Sequence, residues 1–331
     1  MKRVLKKISA VLLATAAGLI VAEVALRLLS PRYYPVIPAA FEYDAELAYR
    51  LRPGAHLFAT TDHQQESVAN ASGAANFQEG FEGYESLVFA VGDSYTQGTG
   101  LPADASYPAQ LDLILNRDAE GFYAKRFGVV NLGVAGFGGE QSLANLGRFG
   151  ARLGAPAFIL YLGCDNDFED DAAFRSGDRH RTVVRGNPAW GRLTGPLRFV
   201  FERTHLGLLA REVYRGRVRG RLVAEATAAL GRKPSVAELE APVLERLKAY
   251  ADARGSVLVV GWSDESESYA WLKSWAGARA VAFADWAPRA HSVRRVMPKL
   301  TLDNQHSGGH HRAWVNQIIA AEFARQMRAG R

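Results

Sequence analysis

At 331 residues, with 48% hydrophobic and 22% charged side chains, the chain has the composition of a folded protein, neither disordered nor wholly membrane-embedded. Its net charge of +6 raises nucleic acid as a partner, yet no zinc-ligand spacing, RNP-type aromatic motif or basic heptad accompanies the charge, and nucleic acid is excluded. The single cysteine, Cys164, forbids an intramolecular disulfide and leaves the redox compartment open.

Lys2, Arg3, Lys6 and Lys7 precede an apolar run over residues 8–22, and the pattern continues past Glu23 and Arg27 to Leu29. A helix over 8–29 is roughly 33 Å long, about the thickness of a bilayer core. The segment reads as a signal anchor or a signal peptide. Ala14-Thr15-Ala16 is the A-x-A candidate for cleavage, but it lies inside the apolar run, which favours an uncleaved anchor. The lysine-rich end then stays in the cytoplasm, and the remainder is expected outside the cytoplasmic membrane.

Residues 30–85 form a mixed leading segment with Pro31, Pro35, Pro38 and Pro53, packed on or tethering the domain that follows. From there, short apolar β-rich runs at 87–91, 129–132, 158–162, 257–261 and 280–283 predict five buried strands. Helical patterns fall between and after them, at 107–115, 140–153, 236–254, 267–275 and 310–327. Near-continuous apolar strands separated by helices imply a parallel α/β sheet covered on both faces, a three-layer α/β/α sandwich over residues 86–331.

An insertion at about 168–235 interrupts this alternation. Between Arg175 and Lys233 it carries 14 basic and 4 acidic residues, a local balance of +10. Leu208, Leu209, Val213, Val218, Leu222 and Val223 approximate one apolar helical face, with Arg211, Arg215 and Arg219 on another. The stretch is either a solvated amphipathic helix or a surface for anionic glycan or lipid.

The chemistry-bearing residues follow the strand ends. Gly92-Asp93-Ser94 comes directly after the first predicted strand, and ligands of open parallel sheets bind beyond the carboxyl ends of strands. The G-x-x-x-x-G-K-[ST] and G-x-G-x-x-G spacings are absent, so nucleotide binding is not expected. A serine needs a base, and the base needs an orienting acid. Asp303 and His306 share one loop before the last helix and can supply both. Asp303, His306 and His310 could also ligate a metal, but a cluster confined to one loop lacks a distant fourth partner, so no metal is expected. His310 and His311 read as helix N-terminal residues. For an oxyanion, Gly136 after the second strand and Asn166 after the third offer a backbone and a side-chain amide.

In this order, Gly92-Asp93-Ser94, Gly136, Asn166 and Asp303-x-x-His306 resemble the four blocks of the SGNH (GDSL-type) hydrolases. The N-terminal hydrophobic segment, Tyr107-Pro108 with Leu111, and Asn131-Leu132-Gly133 are similar to a bacterial branch of that family. The resemblance spans about residues 87–327. It implies a flavodoxin-like fold and a serine esterase without cofactor, with Ser94 as nucleophile, His306 as base and Asp303 as orienting acid. The Ser94 amide, Gly136 and Asn166 would form the oxyanion hole. The third block usually reads G-x-N-D, whereas one extra residue separates Gly163 from Asn166 here, so Asp165 is the competing register. The expected substrate is an acylated small molecule or carbohydrate, with an acetyl group on an envelope or extracellular glycan in mind. Alternatives are an O-acetyltransferase using the same triad and a catalytically silent glycan-binding module.

Overall fold

The computed structural model describes residues 2–29, 38–60, 64–117, 126–176, 204–304 and 309–329. Helix α1 (Lys2–Leu29) is exposed throughout residues 3–21. Two antiparallel hairpins follow, β1 (Phe41–Asp44) with β2 (Ala48–Leu51) and β3 (His56–Thr60) with β4 (Gln64–Val68). The leading segment packs on the main body, since Phe41, Leu47, Leu51 and Ala55 join Val134, Ala135 and Phe137 in one buried cluster.

The main body runs β5 (Ser86–Gly92), α2 (Ser94–Gln97), α3 (Tyr107–Asn116), β6 (Phe127–Asn131), α4 (Gly139–Leu153), β7 (Phe158–Gly163) and α5 (Asp167–Arg175). It continues with α6 (His205–Leu230), α7 (Val236–Leu239), α8 (Ala241–Asp252), β8 (Val257–Trp262), α9 (Glu267–Ala278) and β9 (Ala282–Phe283). The chain closes with α10 (Ala287–Val296), β10 (Asp303–Asn304), β11 (His310–His311) and α11 (Ala313–Ala329). The central sheet has the order β6-β5-β7-β8-β9 with every pair parallel, a flavodoxin-like arrangement. Strand alternation sends Val88, Ala90, Phe158 and Leu160 towards α3 and α11, and Phe89, Val91, Ile159 and Tyr161 towards α4, α8 and α9. Both faces are therefore buried, which is why these strands read as unbroken apolar runs.

Three elements differ from the sequence expectation. The helix expected over 236–254 is two helices, because Pro242 sits in the first turn of α8 and cannot continue a preceding helix. The last helix begins at Ala313 instead of His310, because His310 and His311 pair with Asn304 and Asp303 in a short antiparallel ladder. In the insertion, Leu209 and Val213 are exposed while Val218, Leu222 and Val223 are partly buried, as is Arg219, which lies 3.3 Å from Glu169, so the apolar face inferred from spacing is covered only in its second half.

The α7–α8 break buries Glu240 beside Asp171 of α5. Burial first, and then the charge of Asp171, push the Glu240 carboxyl up to about 10, while burial pushes Asp171 up to about 6. The folded chain thus holds a proton that the unfolded chain releases above about 4.5, and stability falls as pH rises from there towards 10. Glu240→Gln removes this loss. Its melting temperature should decline less than that of the parent between about pH 5 and 8, leaving the variant roughly 2–4 °C more stable at the upper end. Parallel melting curves across that interval would contradict the argument.

Candidate active site

The site forms where β5 stops. Gly92 has φ +154°, and a side chain there would lie 2.5 Å from the Leu162 carbonyl of β7, so only glycine lets the two strands approach at this turn. Asp93 is the N-cap of α2, its Oδ1 accepting the Tyr95 amide at 2.9 Å. Ser94 follows as the first helical residue, with a buried side chain whose Oγ donates to Asp93 Oδ2 at 2.9 Å.

The chain end supplies the histidine. His310 Nε2 lies 2.8 Å from Ser94 Oγ. Asp303 Oδ1 is 2.6 Å from Nδ1 of the neighbouring His311, whose Nε2 lies 3.0 Å from the Ser263 carbonyl. Both ring nitrogens of His311 therefore face acceptors. Its ring also stands 5.0 Å from both Tyr95 and Trp286, which wedges it in place. His306, the base expected from the motif, lies outside the described residues.

Two loops border Ser94. The loop after β6 is stitched to the turn that carries Ser94 by Val134 N–H to the Gly92 carbonyl (3.2 Å) and Ala135 N–H to Gln97 Oε1 (2.7 Å). It carries Gly136 at φ +81°, where a side chain would meet the Tyr49 hydroxyl at 2.7 Å. The loop after β7 brings Cys164, whose Sγ lies 3.1 Å from Asp93 Oδ2 and 3.0 Å from Asn166 Oδ1. Asn166 is thus joined to the turn that carries Ser94 through one thiol, and its Nδ2 donates to Asp170 Oδ2 at 2.8 Å. Asp165 is engaged elsewhere: its Oδ1 accepts the Trp262 indole N–H (2.9 Å) and the Ser266 hydroxyl (3.2 Å).

Behind Ser94 the polar groups are buried and acidic. Asp167 accepts the Tyr161 hydroxyl at 2.8 Å, the Cys164 amide at 3.1 Å and the Cys164 thiol at 3.1 Å. Burial, reinforced by the charge of Asp93, holds the Asp167 carboxyl well above the usual carboxylate range. The Cys164 thiol is pushed well up by burial and then by Asp167 and Asp93. Among the described residues, Asp93, Cys164 and Asp167 bring ligand-type atoms within 4.8 Å of one another. The Asp93 and Asp167 oxygens already accept from Ser94, Tyr95, Tyr161 and Cys164, so the cluster is a hydrogen-bonded one. A cleft of about 490 Å³, lined by Tyr84, Leu87, Ala157 and Arg254 among others, opens at the amino ends of the strands, away from Ser94.

Sequence reasoning did not assign roles to Asp93 as holder of the serine hydroxyl, Cys164 as the link to Asn166, or His310. Adjacent histidines after two glycines were a usable signal for the last. The helical pattern beyond them obscured it.

No family model matches the chain, and no curated protein matches it. Among solved structures, it is similar to a lipolytic protein of the G-D-S-L family from Veillonella parvula, at 10% identity over 71% of this chain and 94% of that one, with a TM-score of 0.36. It is also similar to TesA, at 14% identity over 73% and 97% with a TM-score of 0.41. A third is a catalytic mutant of Axe2, an acetylxylan esterase from Geobacillus stearothermophilus, at 12% identity over 74% and 95% with a TM-score of 0.40. These likenesses assign no role to any residue of this chain.

Asp165 emerges as a structural acceptor for the fully buried Trp262. Asp165→Ala leaves that indole N–H without a partner, which costs about 1–3 kcal/mol. A chemical denaturation curve should show this loss at an unchanged m-value. A variant as stable as the parent would show that the contact contributes nothing.

Proposed function

We propose that the chain is a serine hydrolase of O-acyl esters that works through an acyl-enzyme on Ser94. The observation that carries the reading is Ser94 Oγ at the carboxyl end of β5, 2.8 Å from His310 Nε2. In the proposed reaction His310 takes the hydroxyl proton as Oγ attacks the acyl carbon, then returns it to the leaving alcohol, and water repeats the sequence in reverse. This geometry favours His310 as base over His306. Asp303 then acts through the hairpin: by binding His311 across the β10–β11 ladder it fixes the strand that carries His310.

The oxyanion would be met by the Ser94 amide at the start of α2, the Gly136 amide and the Asn166 side chain. For Asn166 this requires its Nδ2 to turn from Asp170 towards the substrate. The engagement of Asp165 with Trp262 and Ser266 supports Asn166 over Asp165 in this role. The apolar N-terminal helix supports an exported, membrane-anchored enzyme. The O-acyl esters within its reach would then be those of envelope or extracellular carbohydrates. An acetyl-transferring variant of the reaction differs only in the hydroxyl that resolves the acyl-enzyme.

The test is aryl-acetate hydrolysis combined with fluorophosphonate labelling. Ser94→Ala should abolish both, since no covalent intermediate can form. His310→Ala should suppress both nearly as far, whereas His306→Ala should retain most of the parent rate. The opposite pattern would return the base to His306, and near-normal hydrolysis by Ser94→Ala would overturn the proposal. Asn166→Ala should lower kcat by roughly 10²-fold or more while labelling persists.

A further inference from the structure

Glu23 lies near the end of the apolar helix, where a lone carboxylate would be costly in a membrane. Its side chain is only 16% exposed, and it is not alone. Glu23 Oε1 accepts the amide of His205 and Oε2 the amide of Leu206, each at 3.0 Å, and Arg27 Nε lies 2.8 Å from Oε1. His205 and Leu206 open α6, a helix of 26 residues whose next amide, that of Gly207, goes to the Thr204 hydroxyl at 3.0 Å. Three of the four amides left free by helix geometry thus have acceptors, and a carboxylate from α1 serves two of them. Around Glu23, Ala22, Ala25 and Leu26 are partly buried, whereas residues 3–21 are exposed throughout.

The division of α1 follows from these contacts. Its exposed apolar part, residues 8–21, is roughly 21 Å long, most of a bilayer core, with Lys6 and Lys7 at its amino end. Its last turns are a structural partner of α6. Removal of α1 as a signal peptide would strip the first turn of α6 of its acceptors, so the dock fits a retained helix. Because Glu23 stands at the end of the apolar part farthest from the amino-terminal lysines, it fixes the start of α6 at the outer edge of the membrane. The exposed side of α6 presents Leu209 and Val213 in its first half, then Arg217 and Arg221. Apolar residues at the level of the dock, followed by basic ones, match the acyl boundary and phosphate layer of a lipid surface.

We infer that α1 is a retained membrane helix docked through Glu23 onto α6, and that α6 rests on the outer leaflet with Arg217 and Arg221 against anionic phospholipid. The inference rests on the membrane reading of α1 and not on the esterase chemistry. Hydrogen exchange on the full-length protein tests it, in nanodiscs of phosphatidylcholine alone and of phosphatidylcholine mixed with phosphatidylglycerol. Exchange over residues 209–221 should be slower by roughly tenfold in the anionic discs, and the double variant Arg217→Glu/Arg221→Glu should lose that difference while keeping aryl-acetate turnover. Glu23→Ala should speed exchange at His205 and Leu206 in both discs and leave β5 unchanged. Equal exchange in the two lipids overturns the lipid contact. Unchanged exchange at His205 and Leu206 in Glu23→Ala, or a membrane-extracted chain that lacks α1, overturns the dock.

Discussion

Asp93 is the group around which this molecule is arranged. Its carboxylate is buried, and a buried carboxylate must be satisfied by hydrogens from the protein. Three come from different levels of the chain: the Tyr95 amide caps α2, the Ser94 hydroxyl follows it in sequence, and the Cys164 thiol, whose one hydrogen is shared with Asn166 and Asp167, arrives from the end of β7. One side chain thus ends a strand, begins a helix, holds a reactive hydroxyl and ties two neighbouring strand ends together. The order β6-β5-β7 makes this feasible, because β5 and β7 are adjacent and their carboxyl ends open side by side.

How far the sequence could carry this picture depends on whether each contact is local. The five strands were legible because both sheet faces are covered, so every strand position is under the same demand for apolar residues. The Gly92-Asp93-Ser94 turn was legible because strand end, cap and first helical residue are consecutive. The helix break at Glu240 was readable in principle from Pro242, but apolar periodicity masks a one-residue interruption. The apolar face of α6 is covered only in its second half, at Val218, Leu222 and Val223, for a different reason. Helical spacing says which residues share a side, but not which side meets the body; the Glu169 partner of Arg219 decides that from another helix.

The histidine assignment shows the same limit at closer range. Asp303, His306, His310 and His311 lie within nine residues, and a spacing rule chooses among them by resemblance. Among the described residues the two histidines are told apart by register, since pairing Asp303 with His311 and Asn304 with His310 turns successive side chains to opposite faces of the ladder. His311 then goes to Asp303, Tyr95 and Trp286, and His310 to Ser94. A shift of one residue would exchange the two roles. That register depends on Tyr95, Ser263 and Trp286 meeting His311 from distant parts of the chain, which no local pattern records.

The serine hydroxyl has one hydrogen and two neighbours able to take it, Asp93 Oδ2 at 2.9 Å and His310 Nε2 at 2.8 Å. While the hydrogen points to Asp93, the oxygen is held but not activated. In the proposed reaction it must point to His310, which withdraws one of the donors of Asp93. The carboxylate is not left bare by that rotation, because the Tyr95 amide still donates to it and the Cys164 thiol, pushed well up by burial and by the acids around it, has one hydrogen that can turn to it from Asn166 or Asp167. The desolvation penalty that would otherwise oppose turning the hydroxyl is thereby reduced. On the proposed reading of Ser94, the acidic pocket behind it acts indirectly: it raises the Cys164 thiol, whose hydrogen can replace the one that Ser94 withdraws from Asp93.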